Sequence, residues 1–122
     1  MTGSGSRLAD GALNAAIANE IVKLVADNTG RGASKSHAFI HDDVLVCVLE
    51  NGATKAEVKL VAAGKAELVR AGRDALQRAM EQELVAAVER LTGRTVRVFL
   101  SGSSTHAEAS VEVFVLEPQP QT

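Results

Sequence analysis

The densest group of side chains able to do chemistry is His37, His41, Asp42 and Asp43, with His106 in a later polar stretch. Two imidazoles and a carboxylate form a donor set for a transition metal. The spacing argues against one: four residues of extended strand put His41 about 13 Å from His37, too far to share an ion. No metal is expected. His41 and Asp42 also make a pair able to orient an imidazole for proton transfer. No nucleophile is placed beside them, so no catalytic residue is assigned. Gly30-Arg31-Gly32 has the glycines of a phosphate loop but the wrong polarity. Phosphate cradles lead into a helix N-terminus, where amides point outward, and these residues follow a helix end. Arg31 and the matching Arg94 are expected to meet terminal helix carbonyls, worth a few tenths to about 1 kcal/mol. The ligand- or partner-binding set carried forward is Arg31, Gly32, His41, Asp42, Asp43 and Arg94.

The remaining charged and polar residues read as surface. Lys65, Arg70, Arg73 and Arg78 alternate with Glu67, Asp74, Glu81 and Glu83, the mixture of a solvated helix face with pairing one turn apart. An RNA-binding stripe on that helix is the competing reading. Ser101 to His106 reads as a loose hairpin loop. Across 122 residues, 13 basic and 15 acidic side chains give a net charge of −2, which excludes nucleic-acid affinity from bulk charge. There is no Trp or Tyr and there are three Phe, too few for a base-stacking platform. One cysteine, Cys47, excludes an internal disulfide and a thiolate zinc site; it falls in an apolar run and reads as a buried thiol. No apolar run is long enough to span a bilayer, and the start of the chain lacks the apolar stretch of a secretory signal.

The elements that must position these residues follow from periodicity. Leu13, Ile17, Ile21, Leu24 and Val25 mark a helix over 11–28, ended by Gly30 in the left-handed cap position. Residues 34–40 read as a strand, His41-Asp42-Asp43 as a turn, and 44–50 as a strand apolar on both faces, hence central and covered. Asn51-Gly52 closes it. Thr54 to Glu57 is a capping box. Helical pattern then runs to Leu91, and Gly64 predicts a kink or break in it. A strand over 95–100, the polar loop, and a strand over 110–116 complete the chain. Residues 1–10 read as a flexible lead-in and 119–122 as a tail, around one domain over 11–118.

The two halves resemble each other. Thr29-Gly30-Arg31 matches Thr92-Gly93-Arg94 at an offset of 63, and Val44, Val46 and Val48 match Val111, Val113 and Val115 at an offset of 67. The half-repeats span about 11–53 and 65–118. One helix on one hairpin cannot bury its apolar face. Two such αββ units can merge their hairpins, which predicts an α+β two-layer sandwich: a four-stranded antiparallel sheet, helices on one face, pseudo-two-fold symmetry. The open sheet face, to which Phe99, Phe114 and His37 are candidates to contribute, calls for a cover, and a homodimer supplies one.

Gly30-Arg31-Gly32, Ile40-His41-Asp42-Asp43, Val46-Cys47-Val48-Leu49-Glu50, Thr54, Glu57, Leu91-Thr92-Gly93-Arg94 and Val111 to Pro118 together resemble the MpsC domain of the Na+-translocating membrane potential-generating system. The likeness covers roughly 11–118. It implies a soluble accessory or regulatory component linked to cation translocation, and it carries over no catalytic residue. A chain with no spanning segment cannot form an ion path by itself, so such a role runs through a membrane transporter component. The expectation is a cytoplasmic, non-enzymatic homodimer without cofactor, nucleic-acid binding or membrane insertion. The alternatives are a small-ligand or metal-binding domain centred on Arg31, His41, Asp42 and Asp43, and an RNA-binding module using the long helix.

Overall fold

The computed structural model describes residues 3–50, 52–104 and 109–119. His106, Asn51 and the last three residues therefore lie outside the described residues. The order is α1 (Gly3–Thr29), β1 (Lys35–His41), β2 (Val44–Glu50), α2 (Lys55–Ala62), α3 (Ala66–Thr92), β3 (Val96–Ser103) and β4 (Ala109–Leu116). The four strands form one antiparallel sheet in the order β1-β2-β4-β3.

Strand parity decides which side chains meet the helices. Ala38, Leu45, Cys47, Leu49, Phe114 and Leu116 face inward and share one core with Ile17, Ile21 and Val25 of α1 and Met80, Leu84 and Val88 of α3. Phe99 and Phe114 belong to this side too, their rings 5.0 Å apart, so neither contributes to the open face as expected. The inner layer takes the larger Leu and Phe. The valines are left to the other side: Val44 pairs with Val115, Val46 with Val113 and Val48 with Val111. β2 is thus central, yet the helices cover one of its faces, not both.

Two boundaries differ from expectation. α1 begins at Gly3 rather than Gly11; the good helix formers Arg7, Leu8 and Ala9 carry helical pattern back past Gly11. β3 extends to Ser103, and Ser101, Gly102 and Ser103 pair with Glu112, Val111 and Ser110, so the first three residues of the loop expected over 101–109 are strand. Cross-strand hydrogen bonding outweighs the polar, turn-like composition there. The break expected at Gly64 is present: the long helical stretch is two helices, parted at Ala63-Gly64-Lys65 with Gly64 at φ +80°, a conformation that favours glycine. The break folds α2 back against α3.

Both Thr-Gly-Arg segments make the same local turn. Thr29 Oγ1 donates to the Val25 carbonyl (2.6 Å) and accepts from the Arg31 amide (3.0 Å). Thr92 does the same with Val88 (2.7 Å) and Arg94 (3.1 Å). Gly30 and Gly93 sit at φ +73° and +70°. The two arginine side chains then part company.

Candidate functional site

The six positions singled out by sequence fall at two opposite ends of the sheet. At one end, Arg94 donates to the Asp42 carbonyl (3.1 Å), the Glu117 carbonyl (3.0 Å) and the Asp43 carboxylate. It ties the β1–β2 turn to the end of β4, rather than meeting the carbonyls of its own helix. Asp42 takes φ +55° in that turn, and its carboxylate lies 3.5 Å from His41 Nε2, both fully open to water. Among the described residues no group of three or more His, Cys, Asp and Glu is placed to hold a metal.

Arg31 and Gly32 stand at the other end, in a cluster that spacing alone does not reveal. Arg31 is 3% exposed, and so is Arg73 of α3. Arg73 is therefore not part of the solvated face assigned to it. Between the two stands Glu57, on the first turn of α2. Its capping role is as expected: the Thr54 amide donates to Glu57 Oε1 (2.9 Å) and the Glu57 amide to Thr54 Oγ1 (3.1 Å). The same carboxylate accepts two hydrogen bonds from Arg73, from Nε to Oε2 (3.0 Å) and from Nη2 to Oε1 (2.9 Å). Such a forked pair fixes both position and orientation. Arg31 Nη1 lies 4.0 Å from Glu57 Oε2. Burial alone would raise the Glu57 pKa; the Arg73 and Thr54 hydrogen bonds and the two positive charges outweigh it and hold the carboxyl below its ordinary value.

Two more polar side chains back this group. Gln77 is one turn along α3 from Arg73, and Glu112 sits on the inner face of β4, fully buried. Among the described residues, neither Glu112 oxygen has a hydrogen-bond partner, and neither have Gln77 Oε1 and Arg31 Nη2. Burial pushes the Glu112 carboxyl up to about 8; Gln77 and the charge of Arg31 pull it back only in part. Arg31 is lowered from its ordinary value, first by burial and then by the like charge of Arg73, against the opposing pull of Glu57 and Glu112. Cys47, the cross-strand neighbour of Glu112, is pushed up to about 12 by burial and by that carboxyl, so its thiol is unreactive at neutral pH.

A close backbone approach completes this end. A Cβ on Gly52 would stand 2.5 Å from the Gly32 carbonyl oxygen and 3.3 Å from Arg31 Cγ. Gly52 therefore lets the segment after β2 lie directly on Gly32, beside the Arg31 stem. The signal for Glu112 was present in sequence, since it shares strand parity with Phe114 and Leu116. Arg73 likewise continues the stripe of Val69, Met80 and Leu84. The Glu57–Arg73 pair, sixteen residues apart, had no such signal.

A sheet with two helices on one face and an interior cluster of arginine and carboxylate defines a small two-layer α+β protein with a charged end to its core. The chain belongs to the MpsC family, described as the Na+-translocating membrane potential-generating system (MpsC), whose family model matches residues 9–118. No curated protein and no solved structure matches it.

Proposed function

We propose that this chain is a non-enzymatic accessory or regulatory component that acts, through a membrane partner, on a cation-translocating, potential-generating system. The observation that carries the proposal is the family match over nearly the whole chain. No helix among the described residues is long and apolar enough to cross a membrane, which fits a component that regulates a path made by others. The exposed His41-Asp42 turn, held in place by Arg94, is the surface offered to that partner. The valine face is covered by a second copy of the chain, with each subunit built from two αββ halves.

The test uses membrane vesicles from cells in which the gene is deleted. The Na+-dependent potential, read with a voltage-sensitive dye, is expected to fall, and to return when purified protein is added. His41→Ala, which alters only an exposed side chain, is expected to restore less. A potential that does not change on deletion overturns the proposal.

A further inference from the structure

The cluster around Arg31 has a charge that nothing on the described residues balances. Arg31 and Arg73 are both positive, since arginine keeps its proton in proteins. Glu57 supplies one negative charge, which its two hydrogen bonds from Arg73 already commit. Glu112 stands close enough to help, yet neither of its oxygens completes a hydrogen bond among the described residues, and Gln77 is the one neutral side chain near enough to favour its charge. A buried carboxylate without donors is costly, whereas a neutral carboxylic acid tolerates that setting. With Glu112 neutral the group carries one excess positive charge, on two arginines that are each 3% exposed. Arg31 Nη2 is the donor left over: buried, and without a partner among the described residues.

Arg31, Arg73, Gly32, Gly52 and Ser110 line a narrow cleft with a cavity volume of about 10 Å³. That is roughly the room one water-sized particle needs. Its walls also include Val25 and Leu49, which lower the local polarity and strengthen any charge interaction inside. The scale excludes a nucleotide, a phosphate ester or a hydrated divalent ion. It suits a compact particle that sheds its water readily and meets a guanidinium.

We propose that this cleft binds one small monovalent anion, of halide size, on the free edge of the Arg31 guanidinium, with Arg73 adding its charge. Binding is linked to a proton on Glu112. Below the pH at which that carboxyl ionises, the anion supplies the missing negative charge; above it, Glu112 supplies the charge and the anion leaves. The groups set against Glu112 are Arg31 after α1 and Gln77 on α3, Cys47 on β2 and Ser101 on β3; Arg31 in turn neighbours Glu57 and Arg73. From pH 6 to 9 Cys47 stays neutral and Glu57 keeps its charge, as arginine does in proteins generally. Among these groups Glu112 is therefore the one that switches. The site stands whether or not the chain couples to a membrane partner.

The test is the thermal midpoint in sodium chloride against sodium formate and sodium gluconate, at one ionic strength, since both organic anions are too large for the cleft. A second readout is the excess linewidth of the chloride nucleus in magnetic resonance. At pH 6.5 chloride is expected to raise the midpoint by a few degrees over formate and gluconate, and its resonance is expected to broaden. At pH 9 both effects are expected to vanish in the wild type and to persist in Glu112→Gln, which cannot ionise. Arg31→Met, provided its circular dichroism is that of a folded chain, is expected to lose both effects at either pH; should it not fold, the pH contrast between wild type and Glu112→Gln decides alone. Equal midpoints and linewidths in all three salts at pH 6.5 overturn the proposal, and so does an anion effect in Glu112→Gln that falls with pH as the wild type's does.

Discussion

Glu57 and Glu112 both face Arg31, and burial leaves them with opposite linkages to pH. Glu57 is held below its ordinary value of 4.5, so its contribution to stability is present above that value and is lost as pH falls through the folded one. Glu112 is raised from 4.5 to about 8. The folded chain then holds the proton more tightly than the unfolded one. Its contribution is full below 4.5 and is lost as pH rises towards 8. Glu112→Gln keeps the shape and removes the titration. In gluconate buffer, urea unfolding of the wild type is expected to lose stability from pH 5 to pH 9 relative to the variant. The gap at pH 9 should reach on the order of a few kcal/mol, and coincident curves at pH 9 would show that this acid carries no burial cost. Parity with Phe114 and Leu116 made the placing of Glu112 legible from sequence. Its lack of donors was not, because that depends on where Gln77 and Arg31 end.

At the scale of elements, short-range chemistry was legible and long-range placement was not. The Thr54–Glu57 box, the break at Gly64 and the Thr-Gly-Arg helix ends each follow from a few adjacent residues. Each appears as expected. What no local signal could tell is that breaking the helix at Gly64 turns α2 back and delivers Glu57 to Arg73. The same holds for Gly52, whose neighbour Gly32 is twenty positions away. Gly52→Ala sets a methyl group 2.5 Å from the Gly32 oxygen, against backbone that has little freedom to move. A loss of about 1–3 kcal/mol in urea unfolding is expected. Gly72→Ala is the matched control: nothing lies within 4 Å of its added Cβ, and a helix-interior glycine replaced by alanine gains roughly 0.5–1 kcal/mol. Equal effects at the two sites would remove the close approach as the reason for a glycine at 52.

For the whole molecule, the open face of the sheet is the feature that packing leaves unresolved. Its centre is the valine ladder of β2 and β4, flanked by Phe39 at 44% exposure and Leu100 at 58%. Lys35 and Glu50, a cross-strand pair, stand at the rim. Four strands of seven or eight residues present a face of roughly 20 by 25 Å, about 500 Å² per copy. Two copies face to face then approach the roughly 1,000 Å² that separates specific interfaces from casual contacts. The surface is apolar at its middle and free of a dominant charge, so it is able to pair with itself. Sheet faces packed this way sit about 10 Å apart with side chains interdigitated, and β-branched valines suit that spacing. A lysine at the centre of each facing strand would bring like charges into a dry layer. Sedimentation equilibrium is expected to give the wild type twice the 12.7 kDa chain mass. Val46→Lys with Val113→Lys is expected to give a single chain with unchanged circular dichroism, because both side chains point away from the helices. A wild type that sediments as one chain at tens of micromolar, or a double variant that stays paired, would move the interface off this face and leave the valine ladder without its cover.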